Sequence, residues 1–464
     1  MSTSYIALEA FISIVHQLKN ITNVDFGYLI LDDCYNALTL TRLLNGVMSG
    51  DIAIQSSSGH KFNPSQVAVV IGAQSSDVTM AALPILTELG IPMISYSATH
   101  QVLDNRIIYP FFSRTVSSNV VQSKAFISIL KYLEVTFVGV IVVENSYGLE
   151  LYDLFRRSAE VEGICVDDAV RVSNQIPDYN FASVLDGYRS KKIQVIIVIA
   201  MEITIKSLLK TVKQEDTFVF LASESWGPNP DFLHDGGKKA RGCLVLATAP
   251  LKLNYNIKKH LETLDPYKNT STVWLREFWQ DQFQCDMPGG FSNTHGGNIC
   301  SKSPHSISTA LDDLADSPLA VHAAMATMSA GLTVSDFLKS GKQMPFNAGE
   351  FTKALRQVKV MSSSGELRPF NDAGDSDNGF DIFNVQSTTD SKDKYIYVKV
   401  GSYQDKVGLS LNKSLIKFYD DSGQVIDKVE SSCLYHQQCS MVIYGLWWFH
   451  RKYQTRISNT QHHR

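Results

Sequence analysis

Four hydroxyl side chains stand where two apolar runs end: Ser75 and Ser76 after "VAVVIGAQ", and Ser97 and Thr99 after "PMISY". Where a strand turns into a helix, free backbone N–H groups carry partial positive charge and hydroxyls can donate beside them, so a carboxylate can be held there without an arginine. The bland alternative is that Ser76 or Asp77 only caps its own helix. Two later runs end in groups of the opposite preference. "VVENSYGLEL" presents Tyr147, whose ring face suits an ammonium group or an ordinary apolar interface. "FLASESW" presents Glu224 beside Trp226, either a partner for a cation or a solvated acid. Taken together they put anion-binding hydroxyls on one sheet and cation-binding groups on another, as an α-amino acid lying between two lobes requires.

Catalytic patterns are missing. No G-x-G-x-x-G follows a strand-like run, and G-x-x-x-x-G-K-[ST], G-x-S-x-G and H-E-x-x-H do not occur. The twelve histidines are scattered, and the seven cysteines have no C-x-x-C pair and no zinc spacing. "DAGDSDNGFD" has the acid density of a calcium loop, but Gly379 cannot take the sixth position with an acid at the first, so the stretch reads as a solvated turn. No enzyme activity, cofactor or metal is expected.

The elements that must position these groups are legible as a rhythm. β-branched apolar runs recur at 26–31, 67–71, 93–97, 138–143, 193–200, 218–222 and 243–247, with helix-periodic segments such as "GLELYDLFRRSAEVEG" between them. That alternation predicts α/β architecture with parallel sheets covered on both faces by helices. In such sheets ligands sit outside the carboxyl ends of the strands. Pro84 within "TMAALPILTEL" predicts a kink or break. After residue 249 come helical stretches, a Gly/Ser/Asn-rich loop over 288–308, and two late strand-like runs, "FDIFNVQ" and "YIYVKVGSY", which cross back to sheets begun earlier.

A chain of 464 residues with 44% hydrophobic and 19% charged residues is globular and long enough for two or three units. A formal net charge of -4 offers no bulk attraction to phosphate backbones, so no nucleic-acid partner is expected. The N-terminus reads as an amphipathic helix rather than a signal peptide, and the most apolar stretch, "MVIYGLWWF", is too short to span a bilayer. N-x-S/T sequons begin at Asn20, Asn269 and Asn412, which would matter as glycosylation sites only in a secreted chain.

In order along the chain, "VVIGAQSSDV", "GIPMISYSAT", "VENSYGLEL", "SESWG", "WLREFWQDQFQC" and "FDIFNVQ" resemble the ligand-binding Venus flytrap domain of class C G-protein-coupled receptors, most closely the metabotropic glutamate receptors, with "SESW" nearer the calcium-sensing and amino-acid-taste branch. The resemblance runs from about Leu8 to Ser402. It implies a bilobed periplasmic-binding-protein type I fold, with two parallel-sheet α/β lobes joined by three crossovers that close on an amino acid. Residues 1–115 and 251–386 would form the first lobe, 116–250 and 387–428 the second, and 429–464 a truncated junction and tail.

Carried over residue by residue, the resemblance implies that Ser76, Ser97 and Thr99 bind the ligand's α-carboxylate and that Tyr147 and Glu224 hold its ammonium. It also implies a local disulfide between Cys285 and Cys300, partners for Cys34 and Cys165 outside this chain, and Cys433 and Cys439 as remnants of a junction. Dimerisation would use the first lobe, through "ALTLTRLL" and the stretch around Ile85 and Leu89, with Glu88 as a mild objection to a dry interface. A homodimer and a heterodimer both fit, and a G protein would be reached only through a transmembrane part.

Three departures bear on the ligand. The glutamate receptors carry an Arg at the position aligned with Ala7 and a Lys at the position aligned with Met344, and neither charge is present. A second ammonium-side carboxylate is replaced by Asn119. A buried side-chain carboxylate without a partner is costly, so a neutral amino acid is expected rather than glutamate. The expected setting is the extracellular side of a plasma membrane. The alternatives are a soluble amino-acid-binding or decoy protein and an α/β enzyme.

Overall fold

Apolar residues at helical spacing in the first segment, Tyr5, Ile6, Ala10, Ile14 and Leu18, make one buried stripe of the helix Ser2–Thr22. In this computed structural model that stripe packs on the helix Pro318–Lys339, against Ala320, Ala324, Met325 and Met328. The two axes approach closely because the facing residues are small: a Cβ on Gly331 would lie 2.2 Å from Leu18 Cδ1. The residues described are 2–56, 59–173, 176, 178–249, 253, 257–268, 273–288, 296–300, 317–362, 365–388 and 394–431. Asn269, Cys433, Cys439 and the stretch 441–449 lie outside them.

The first lobe is built on a three-stranded parallel sheet in the order Val70–Ile71 (β1), Met93–Ser95 (β2), Phe112–Arg114 (β3). Met93 and Phe112 face Val78, Ala82, Leu83 and Leu86 of the helix Ser76–Glu88, while Ile94 faces Ala326, Ala330 and Phe337 on the other side. Both faces are therefore covered, as expected for short apolar strands.

The second lobe holds a nine-stranded sheet. Its parallel part comprises Phe137–Val143 (β4), Cys165–Val166 (β5), Val170–Val172 (β6), Val195–Ile199 (β7), Val219–Ala222 (β8) and Leu244–Thr248 (β9). Successive residues alternate between two cores: Val195, Ile197 and Ile199 enter one with Phe126, Leu151 and Phe155, whereas Ile196 and Val198 enter the other with Phe181, Leu208 and Trp226. With the chain passing from small sheet to large, back, and over again, the architecture is the bilobed Venus flytrap with three crossovers.

Four expectations change. The run 26–31 forms no ladder among the described residues and is partly exposed, although β1 pairs only with β2 and its other edge is open among those residues. The helix Ser76–Glu88 passes through Pro84 without a break: Pro84 is exposed, so the carbonyl it deprives of an N–H faces water, and the buried stripe on the opposite side holds the helix. After a small antiparallel pair, Val360–Ser362 (β10) and Gly365–Leu367 (β11), the large sheet proves mixed rather than parallel, since Phe380–Ser387 (β12), Tyr395–Gln404 (β13) and Gly408–Leu411 (β14) join it antiparallel. Finally, a first-lobe boundary at 386 is too late, because β12 already pairs with β9 from Phe380 opposite Thr248, so the third crossover precedes Phe380.

Candidate functional site

At the end of β1 it is Ser75, not Ser76 or Asp77, that caps the helix: its Oγ accepts from the Val78 N–H at 3.2 Å. Asp77 is exposed. Ser76 is buried, and its Oγ accepts from the His100 N–H at 3.4 Å, which ties the first loop to the second.

Within the first lobe the Ser97–His100 loop has three holds: the Ser76 bond to His100, Ser95 and Arg114. Ser95, fully buried at the end of β2, donates to Ala73 O at 2.7 Å and accepts from the N–H groups of Ser97 at 3.3 Å and Ala98 at 2.9 Å. Arg114, fully buried at the end of β3, donates to the carbonyls of Ala98 at 3.3 Å and His100 at 3.2 Å. That guanidinium is neutralised by Asp104 and by Asp375 at 2.6 Å, so the cation is a strut of the loop and not a free anion receptor. Within this frame Ser97 is half-buried, and Thr99 is 2% exposed with an Oγ1 that has no hydrogen-bond partner among the described residues.

The second lobe meets the loop directly. The Asn119 N–H, at the start of the helix Asn119–Tyr132, donates to Thr99 O at 2.8 Å. Tyr147 sits at the start of the helix Ser146–Val161, where Asn145 caps through Oδ1 to the Gly148 N–H at 2.9 Å. Gly148 is needed there, since a Cβ would lie 2.3 Å from Val143 O. Tyr147 Oη donates to Glu224 Oε2 at 2.9 Å, and Gln122 Nε2 donates to the same oxygen. Burial pushes the Glu224 carboxyl up to about 7, with Glu150 adding to the rise, and burial likewise raises the Tyr147 phenol.

The structure thus gathers the singled-out residues in two hydrogen-bonded groups, Thr99–Asn119–Glu150 and Tyr147–Glu224–Gln122, joined through the helices Asn119–Tyr132 and Ser146–Val161, with Ser76 and Ser97 on the first-lobe loops. Sequence reasoning missed Gln122 and Glu150. Each lies three residues beyond a residue singled out, Asn119 and Tyr147, and therefore on the same helix face one turn later. The Thr99 hydroxyl, which can donate as well as accept, has no partner among the described residues, and neither have two buried amide oxygens that can only accept, Asn119 Oδ1 and Gln122 Oε1. A set of acceptors kept from water and flanked by two carboxylates is chemically suited to a donor-rich cation such as a primary ammonium.

A separate concavity of about 530 Å³ between the helices Asn119–Tyr132 and Ser146–Val161 is lined by Lys124, Lys131 and Arg157. All three are already paired, with Asp405, Glu162 and Asp153. The Cys285–Cys300 disulfide is formed, with a Cα–Cα distance of 5.0 Å. Among the described residues no helix is long and apolar enough to cross a membrane.

Comparison with known proteins agrees with the fold. Residues 6–388 match the family described as the receptor family ligand binding region. The chain is 25% identical over 434 residues to metabotropic glutamate receptor 4 of Macaca fascicularis, covering 88% of this chain and 47% of that protein. It is 24% identical over 375 residues to metabotropic glutamate receptor 6 of Rattus norvegicus, covering 78% of this chain and 43% of that protein. The chain therefore spans about half the length of these relatives.

Proposed function

The chain belongs to the receptor family ligand binding region family, and from that premise we propose that it is the extracellular ligand-binding domain of a class C G-protein-coupled receptor, not an enzyme, and that it binds a neutral α-amino acid between its lobes. The observation that carries the reading is the cluster at the lobe junction: the unpartnered Thr99 hydroxyl on the loop after β2 and, on the second lobe, an acid bonded to a phenol beside two amide oxygens with no donor among the described residues.

Ser76, Ser97 and Thr99 would take the α-carboxylate, and Glu224, Tyr147 and Asn119 the ammonium. A zwitterion divided in this way leaves little net charge buried. Neutrality of the ligand side chain follows from two positions. Ala7 is buried with only a methyl to offer, and Met344 is half-buried and uncharged, while the nearby Lys342 is paired with Glu350. Contacts to the second lobe exist only when the lobes meet, so ligand binding favours closure by the free energy of those contacts. Two first-lobe helices supply a dimer face: Leu38 is 80% exposed and Leu89 is 48% exposed. Coupling to a G protein would pass through a transmembrane part, and exposed Asn20 and Asn412 are available for glycosylation.

A thermal-shift screen against the free amino acids tests the reading, because a ligand that binds only the folded state raises the melting temperature by mass action. Shifts with neutral amino acids are expected. A shift with glutamate alone would refute the side-chain assignment, and silence with every amino acid would refute the function.

A further inference from the structure

We propose that Glu150 is a positioning acid of the ammonium site, supplying through Asn119 the negative charge that position 119 itself lacks and doing so in contact with both lobes. This rests on the amino-acid-binding reading above.

Glu150 lies on the helix Ser146–Val161, one turn beyond Tyr147. Its Oε2 accepts from Asn119 Nδ2 at 2.6 Å, and its Oε1 accepts from the Gln101 N–H at 3.2 Å. Gln101 follows the Ser97–His100 loop of the first lobe, so one carboxylate joins the ligand-side loops of both halves. Two consequences follow.

The first concerns orientation. An amide side chain has a donor end and an acceptor end, and a carboxylate accepts only, so Glu150 commits Asn119 to presenting Nδ2 on one side and Oδ1 on the other. Asn119 is fully buried, and the Oδ1 left over has no donor among the described residues. The same holds one turn on, where Glu224 takes the Gln122 Nε2 and leaves Gln122 Oε1 orphaned. Two carboxylates thus turn two amides so that their oxygens remain for a ligand that brings only N–H donors.

The second concerns charge. Facing Glu150 are Asp104 and Arg114 from the first lobe and Asn119 from the second, and Arg114 is already committed to Asp104 and Asp375. Neither Glu150 nor Glu224 makes an ion pair with Lys or Arg among the described residues, and the Glu150 charge bears on Glu224. Without a ligand the site therefore holds two acids and no committed cation. A ligand ammonium relieves their repulsion, and a ligand lacking the amine cannot.

The test uses the whole chain and calorimetric titration with L-alanine, L-serine and L-leucine at several pH values. E150Q keeps the size of the side chain but removes the charge and turns one acceptor into a donor facing Gln101. It is expected to weaken binding of whichever probe the wild type takes by tenfold or more. It should also lower the pH at which the Glu224-dependent part of binding reaches half its plateau, because the neighbouring charge is gone; a purely structural residue would not move that midpoint. N119D in the E150Q background returns the charge to position 119 and should recover most of the lost affinity, whereas N119D alone sets two carboxylates against one another and should bind worse than wild type.

Wild-type binding with E150Q within twofold and at an unchanged midpoint would overturn this inference and leave the function standing. Weak binding by E150Q that N119D fails to rescue would also overturn it, since the loss would then be steric. A wild type that binds none of the probes brings down both.

Discussion

Tyr147 Oη donates to Glu224 Oε2 across 2.9 Å, joining the first turn of one second-lobe helix to the end of β8. The bond joins the ring and the acid assigned to the ammonium into a single unit. It also stabilises the carboxylate against the burial that raises its proton affinity. Tyr147→Phe removes that donor and is expected to cost about 1–2 kcal/mol of ligand affinity, measured by calorimetry, with the pH of half-maximal binding moving upward.

Glu224 itself has a pH signature. Its carboxyl is raised to about 7 in the folded protein from 4.5. Between those values the folded state holds a proton that the unfolded chain has released, so the ligand-free protein loses stability as pH rises through that window and levels off above it. Ammonium binding needs the ionised acid, so affinity runs the other way and grows up to about pH 7. Glu224→Gln should flatten both slopes, read by chemical denaturation and by titration, and should stabilise the ligand-free protein above pH 7.

Thr99 separates site from scaffold. Its Oγ1 is buried and has no partner among the described residues, so Thr99→Val exchanges an unsatisfied polar atom for a methyl of the same shape. Melting temperature should hold or rise slightly. Affinity should fall by roughly tenfold or more, since hydrogen bonds to charged groups are worth about 1.5–3 kcal/mol. Ser97→Ala combined with Thr99→Ala should abolish the ligand-induced thermal shift, and a shift unchanged in that variant would remove these hydroxyls from the site.

Arg114→Met tests the strut. It takes the cation from Asp104, leaves Asp375 to Arg106 alone and releases the carbonyls of Ala98 and His100. Breaking a buried pair from one side costs about 3–5 kcal/mol. Denaturation should show that loss together with weaker binding, because the Ser97–His100 loop loses one of its three holds.

His322, 1% exposed in the helix Pro318–Lys339, has two ring nitrogens without partners among the described residues. Burial lowers its pKa from 6.5 to about 4. The unfolded chain takes up a proton in that interval and the folded one does not, so stability is lost as pH falls from about 6.5 to about 4, by up to about 3 kcal/mol. His322→Phe should remove that portion of the acid slope in denaturation curves recorded at several pH values.

The chain alone determined a good deal. The alternation of apolar runs with helical periods announced two-faced sheets, and β1, β2, β4, β7, β8, β9 and β12 fall where those runs lie, because a strand covered on both faces has to be apolar at nearly every position. The ends of those strands pointed to Ser76, Ser97, Thr99, Tyr147 and Glu224, since in such sheets ligand contacts come from those ends.

Other features depended on partners far away in sequence. Whether 26–31 became a strand turned on pairing with a distant strand, which it does not make among the described residues, and whether β12 belonged to the first or second lobe turned on its register with β9. Only the folded molecule could reveal that Ser75 rather than Ser76 caps its helix, that Arg114 is spent on Asp104 and Asp375, and that Glu150 reaches Gln101 on the opposite lobe. Composition and period report how much of a residue is buried and on which face. Which atom a polar group bonds to is decided by directional contacts across the three crossovers, and those have no trace in local pattern.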